Sequence, residues 1–264
     1  MPVHTAPFTP DQIGTGTIRF PSGAPIPTIT DMAVDPYVRT RIPKETQVEG
    51  IQFWPQVKGT YPGIVLLHEY WGLNNQIKEL GMRLACEGYA VIIPNLYNPI
   101  GGMVTANADV GEALAAKLNE TIALRDINTC CEFFNTRDWV VRNLHGAVGF
   151  GLGGTLATRF ACQRKRLRGA VSFYGQIAPT LAGINELYCP LLYQRPEQDA
   201  SVPASAVAEL QQAGEAAKKR ITVKTYAGAG YGFCNETRPD SYRAAQSQEA
   251  WDAMVAFLGE HLKA

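Results

Sequence analysis

The chain has 264 residues, 46% of them hydrophobic, with Lys+Arg and Asp+Glu balanced at 24 each. That length and apolar content suit one large α/β domain or two small ones and exclude a disordered chain. Zero formal net charge without a basic block excludes a nucleic-acid footprint, and the apolar runs fall short of the roughly 20 residues of a membrane span.

Residues 1–45 are rich in Pro, Thr and Gly and read as an irregular N-terminal arm with one short strand at Thr17–Phe20. The opening Met1–Pro7 has neither a charged n-region nor an apolar h-region, so the expected location is cytoplasmic. The domain proper is expected over residues 46–264. Val48–Trp54 alternates as a half-buried strand does, and Gly63–Leu67 is the continuous apolar run of a central strand. Residues 74–87 carry Ile77, Leu80, Leu84 and Ala85 at helical spacing, with Gly88 as a stop. Tyr89–Pro94 is a second buried strand, and residues 107–135 read as helical throughout. Strands follow at Gly146–Phe150, Gly169–Tyr174, Pro190–Tyr193 and Ile221–Tyr226, with helices at 153–163, 203–218 and 241–262. Such alternation predicts a mostly parallel, doubly wound α/β sheet, whose ligand chemistry sits at the carboxyl ends of the strands. Those ends carry Glu69, Gly151, Tyr174, Asp199 and Tyr231.

The six cysteines form no C-x-x-C pair, so neither a zinc knuckle nor a thioredoxin-type motif is suggested. No metal or other cofactor is expected, and most of the thiols are expected to be buried. The partner expected is a small-molecule ligand or substrate, with no nucleic acid and no membrane, for a monomer or homodimer.

One segment singles itself out. Gly149-Phe150-Gly151-Leu152-Gly153-Gly154 has the outline of a nucleophile elbow, G-x-Nu-x-G, between an apolar strand and a helix-like stretch. The nucleophile position holds Gly151, which offers no attacking atom. Around it stand Leu67-His68-Glu69-Tyr70-Trp71-Gly72, Glu87-Gly88-Tyr89, Pro94-Asn95-Leu96-Tyr97, Ser172-Phe173-Tyr174-Gly175, Glu197-Gln198-Asp199 and Tyr226-Ala227-Gly228-Ala229-Gly230-Tyr231-Gly232-Phe233.

In this order and wording the chain resembles the dienelactone hydrolase family of α/β-hydrolases over roughly residues 48–262. The resemblance implies an α/β-hydrolase fold and a Cys-His-Asp triad. Carried over position by position, the nucleophile falls on Gly151, the acid on Asp199, the histidine on Tyr231, and the family's glutamate near the nucleophile on Glu69. The family's P-D-L-Y reads Pro94-Asn95-Leu96-Tyr97. The arginine that follows it in dienelactone-cleaving members has no match in Asn98-Pro99-Ile100-Gly101.

The chemistry of the two triad departures is severe. A thiol nucleophile needs a base within hydrogen-bond reach, and tyrosine, with an ordinary pKa near 10, is a poor one at neutral pH. The resemblance leaves an oxyanion hole in place, its donors being the amide of Leu152 and one from the His68-Glu69-Tyr70 turn, assigned to Tyr70. Tyr70, Trp71, Tyr97, Tyr174, Tyr231 and Phe233, with Cys234 nearby, are candidate pocket residues, although the same aromatics suit a core. Two readings stand side by side for Asp199, a cap of the following helix or a partner of the Tyr231 hydroxyl. For Glu69 they are an acid–base group or a structural ion pair. His68, His145 and His261 could each supply a replacement base; His68 is close to the site, but a histidine in such a turn is more often structural.

The expected function is that of a dienelactone-hydrolase-like protein that retains a small-molecule pocket and has lost triad ester or lactone hydrolysis. The alternatives are a hydrolase or lyase rebuilt around Glu69 and Tyr231, and a non-enzymatic scaffold that uses the N-terminal arm.

Overall fold

The computed structural model describes residues 5–23 and 47–263. The arm expected over residues 1–45 therefore lies partly outside the described residues. The chain divides into two compact units, one of residues 6–143 and one built mainly from residues 144–264.

In the first unit the strand order is β1-β2-β4-β3. β1 (Ile13–Pro21) and β2 (Gln47–Pro55) are antiparallel, β2 is antiparallel to β4 (Ala90–Pro94), and β3 (Tyr61–Leu67) runs parallel to β4. The four-residue strand expected in the arm is thus a nine-residue strand paired along its whole length with β2. Its irregular reading came from Gly14 and Gly16. Both glycines face the Trp54 indole across the pair, and a Cβ at Gly14 would approach the ring to 2.6 Å. In β3, Ile64, Val65, Leu66 and Leu67 are wholly buried, each contributing roughly 1.5–3 kcal/mol of apolar burial where the side chain is large.

Helix α1 (Asn75–Cys86) starts where the Asn74 side chain accepts the Ile77 amide at 3.1 Å. It turns Ile77, Leu80, Leu84 and Ala85 inward, and Gly81 lets it close onto Ile93 and Phe53. The continuous helix expected over 107–135 is two helices, α2 (Ala108–Lys117) and α3 (Glu120–Phe134). Asn119 breaks it. Its backbone is extended and its side chain accepts the Ile122 amide at 3.1 Å, so a cap interrupts an apolar period that both helices share.

The second unit has the order β5-β6-β7-β8, all parallel: β5 (Val140–Phe150), β6 (Leu167–Phe173), β7 (Leu191–Pro196) and β8 (Ile221–Tyr226). Its helices are α4 (Leu152–Ala161), the short α5 (Ala178–Leu181), α6 (Ala204–Ala216) and α7 (Ala244–Leu262). On β6, Gly169 faces Phe257 of α7 while Ser172 faces Gly154 of α4. An odd separation along a strand means opposite faces, so the two helices cover the sheet from both sides. This is the winding that the alternation of apolar strands and amphipathic helices predicts.

Candidate functional site

Gly151 links β5 to α4 with φ 51° and ψ −114°. For any other residue that conformation costs about 1–3 kcal/mol, while glycine adopts it readily. Its amide donates to the Phe173 carbonyl at 2.9 Å, and its carbonyl accepts the Thr155 amide at 3.0 Å. Thr155 Oγ1 in turn accepts the Gln176 amide at 2.8 Å, tying the elbow to the end of β6.

The surrounding glycines are required by backbone. A Cβ at Gly149 would fall on the Gly153 backbone, one at Gly154 would come within 2.8 Å of the Phe173 carbonyl oxygen, and one at Gly175 within 2.5 Å of the Thr155 amide. Gly151 differs in kind. A Cβ there would fall on the hydroxyl oxygen of Tyr231, with Tyr231 Cζ at 3.2 Å. The space where a side chain at 151 would begin is therefore taken by the Tyr231 phenol.

Tyr231 is half-buried, in a turn between Gly228 (φ 69°) and Gly232 (φ 75°). The Gln198 amide donates to the Ala229 carbonyl and the Gly228 amide to Glu197 Oε2, each at 2.8 Å, which knits this turn to the loop after β7. The Tyr231 ring meets Tyr174 edge-on, centroids 5.0 Å apart, and Tyr174 meets Phe233 at 5.7 Å. Below them the Tyr226 hydroxyl donates to Gln194 Oε1, and Gln194 Nε2 donates to the Ala250 carbonyl at 2.9 Å. Tyr174, Phe233 and Cys234 are buried, Tyr174 lying directly against the phenol and Phe233 against Tyr174.

Asp199, 6% exposed, is committed to its own loop. Its Oδ1 accepts the Ser201 amide at 2.9 Å and the Ser201 hydroxyl at 2.7 Å, and its Oδ2 has no hydrogen-bond partner among the described residues. Neither expectation for its side chain is met: α6, with Pro203 as its N-cap, has no side-chain cap, and the hydrogen bonds of Asp199 go to Ser201 and not to Tyr231. An Asx-turn to a serine two residues on is the more local partner, and Asp199-Ala200-Ser201 is the signal for it. Leu152, half-buried, is the first residue of α4. An amide at that position has no intrahelical acceptor, the usual state of an oxyanion donor.

In the first unit, β3 delivers His68 and Glu69 into a tight turn. His68 is wholly buried; its Nε2 lies 3.1 Å from the Leu96 amide and its Nδ1 2.7 Å from the Glu69 carbonyl. The Leu96 amide can only donate, so Nε2 accepts and the ring proton sits on Nδ1, donating to Glu69. Burial lowers the imidazole pKa to about 4. His68 is a neutral pin between two loops, with both nitrogens engaged, and does not serve as a replacement base. Glu69 is 4% exposed, and its carbonyl also accepts the Gly72 amide at 3.1 Å.

The loop after β4 is stitched to this turn. The Tyr97 hydroxyl donates to the Tyr70 carbonyl at 3.1 Å, and the Thr105 amide donates to the Trp71 carbonyl at 3.1 Å. Tyr70 and Trp71 meet at a tilt of 33° with centroids 4.2 Å apart, Trp71 and Tyr97 being buried and Tyr70 half-buried. Asn95 Oδ1 accepts the Tyr97 amide at 3.2 Å, which an aspartate oxygen would do equally, so the departure from P-D-L-Y leaves the turn intact. Asn98 Nδ2 donates to the Gln47 carbonyl at 3.1 Å, a long-range tie without a local sequence signal.

The model of the dienelactone hydrolase family matches residues 48–262. The chain belongs to this family. Among its relatives is "Protein usf" of Aquifex pyrophilus, 29% identical over 207 residues, covering 76% of this chain and 89% of that protein. Another is a "putative carboxymethylenebutenolidase" of Escherichia coli (strain K12), 28% identical over 223 residues, covering 78% of this chain and 79% of the relative. A crystal structure described as a "putative dienelactone hydrolase" from Klebsiella pneumoniae subsp. pneumoniae MGH 78578 superposes with a TM-score of 0.78 at 21% identity, over 94% of this chain and 99% of the other. The fold is the α/β-hydrolase fold, as the alternating pattern and the elbow imply. In this dienelactone hydrolase family member, the family's elbow backbone carries a glycine and a phenol where the triad resemblance places a thiol and an imidazole.

Proposed function

We propose that this chain is a small-molecule-binding member of the dienelactone hydrolase family in which triad hydrolysis of esters and lactones has been lost. The observation that carries this reading is the overlap of a Gly151 Cβ with the Tyr231 hydroxyl. Covalent acyl transfer needs an attacking atom at 151 and a base beside it, and the one space is filled by a group that is neither. The Asp199 carboxylate, held by Ser201, has no imidazole to orient.

The test is a reaction time course with p-nitrophenyl acetate together with labelling by thiol- and hydroxyl-directed acylating reagents. The wild-type chain gives no burst and no acyl adduct at residue 151. Gly151→Cys alone stays inactive, because the phenol blocks the new side chain. Gly151→Cys with Tyr231→His restores turnover. Hydrolysis by the wild type that tracks residue 151 or 231 would end this reading.

A second reading is favoured by one further observation. Tyr231 is half-buried, and its hydroxyl stands at the elbow next to the residue whose amide opens α4. A phenol there would donate to an oxyanion in a reaction that needs no covalent intermediate. Turnover of an enolisable ketone or lactone that falls at least tenfold in Tyr231→Phe, without any acyl adduct, would select it.

A further inference from the structure

The first unit carries a cleft at the other end of β3 from His68 and Glu69. Tyr61 opens β3, and its amide donates to the Trp139 carbonyl at 2.9 Å. The loop from Pro55, which closes β2, to Tyr61 is exposed over residues 56–60. It is nonetheless pinned at both ends. The Gln56 amide donates to the Gln12 carbonyl and the Tyr61 hydroxyl to the Val57 carbonyl, each at 2.8 Å. This loop lines a cleft of about 650 Å³ together with Trp54, Asp138 and Trp139. Small-molecule sites occupy roughly 300–1,000 Å³.

Two indoles supply its apolar surface. Trp54 and Trp139 are half-buried, their rings tilted by 31° with centroids 5.8 Å apart. Both are held in place. Trp54 lies against β1 where Gly14 and Gly16 leave room for it. Glycine weakens a strand interior, so β1 gives up some strand stability to seat this ring. On the other side the Arg137 guanidinium carbon sits 4.1 Å from the Phe133 centroid and 5.9 Å from that of Trp139. Aromatic rings left partly exposed on a fixed frame, with Val57 exposed beside them, mark a binding surface rather than a core. The polar lining is Gln56, Lys58, Thr60 and Asp138, one cation, one anion and two neutral groups that both donate and accept.

We infer that this cleft is a carbohydrate site, separate from the turn after β3, and that it takes a neutral, glucose-configured oligosaccharide. In a pyranose whose hydroxyls are all equatorial, the axial C–H bonds form two apolar faces and the hydroxyls ring the edge. Such a ring lays a face on an indole and gains dispersion contacts there. Its edge meets acceptors at Asp138, Gln56 and Thr60 and a donor at Lys58. A charged ligand fits less well. An anion meets Asp138, and a cation enters beside Lys58 and the Arg137 guanidinium. A flat aromatic ligand covers the indoles and leaves the polar groups to water.

The test follows the indole N–H signals of the four tryptophans in the full-length chain by nitrogen–proton correlation NMR, assigned through single phenylalanine replacements. Cellobiose shifts the Trp54 and Trp139 signals saturably with a dissociation constant of about 1–10 mM. Those of Trp71 and Trp251, both buried, stay where they are. Sorbitol, which has the hydroxyls without a ring face, binds at least about tenfold more weakly. Trp139→Ala weakens cellobiose at least about tenfold and Asp138→Asn at least about threefold. Asp138 is exposed, and unmoved Trp71 and Trp251 signals show that each variant is folded. Absence of a saturable shift at about 50 mM cellobiose overturns the inference. So does equal binding of sorbitol, tighter binding of indole or tetramethylammonium at the same two signals, or an affinity that neither substitution lowers. The readout needs no turnover, so it stands or falls apart from the function proposed above.

Discussion

The elbow of the second unit and the stitched loops of the first both hold positions at which the sequence departs from the family pattern it resembles, and the structure holds those positions differently. In the loops, Asn95 stands where the family has aspartate and does the same local work, accepting the Tyr97 amide. His68, Glu69 and Tyr97 are tied into this frame by hydrogen bonds. At the elbow the resemblance places two departures, Gly151 and Tyr231, and a Cβ at the first would fall on the hydroxyl of the second. A frame held by backbone contacts can carry different side chains, because the contacts that define it involve none of them.

The sharpest way to break this contrast is at Gly149. A Cβ there meets the Gly153 backbone, which cannot yield, so Gly149→Ala costs about 3–5 kcal/mol in chemical denaturation. A loss under about 1 kcal/mol would show that the elbow is not backbone-defined.

The loop region is probed through His68. Its folded pKa of about 4 lies below the ordinary 6.5, so the unfolded chain takes up a proton at a pH where the native one does not. The stability that depends on neutral His68 is complete above pH 6.5 and is lost as the pH falls toward 4, by about 3 kcal/mol at about 1.4 kcal/mol per unit. Urea midpoints between pH 7 and 4 read this slope, and His68→Gln flattens it even though the variant is less stable at neutral pH.

The elbow pair is tested by a double-mutant cycle. Gly151→Ala destabilises the wild type by about 2–3 kcal/mol, from positive φ and from overlap with the phenol. In a Tyr231→Phe background the overlap with the hydroxyl is gone, and the cost falls by about 1–2 kcal/mol. Additive effects would separate the two positions and weaken the function proposed for them.

The smallest effect is expected at Asp199. Asparagine keeps the Oδ1 bonds to Ser201 and replaces an oxygen that has no partner, so Asp199→Asn changes stability by less than about 1 kcal/mol. In a working triad the same substitution would abolish activity. Applied to the Gly151→Cys, Tyr231→His protein, it removes the restored turnover.

The fold was legible because its strands are apolar runs and its helices amphipathic, signals that depend on near neighbours in the chain. The break at Asn119 was hidden because both helices share one apolar period. The length of β1 was hidden because Gly14 and Gly16 owe their place to Trp54, far along the chain in a strand paired with their own. At the candidate site the family resemblance assigns Gly151 and Tyr231 to the nucleophile and histidine positions, and each departure was readable in the sequence by itself. Their spatial coincidence was not, since nothing in either segment points to a partner 80 positions away. Asp199 shows the reverse: a signal two residues distant, Ser201, settled its side chain.

The overlap at the elbow also constrains how such a protein can change. A Cβ at 151 would fall on the Tyr231 hydroxyl as it is now placed, so a side chain enters there only if the phenol swings aside or is removed. The two positions are therefore not exchangeable in any order at equal cost: with residue 231 truncated first, a side chain at 151 enters uncrowded, and with the phenol in place it enters against it.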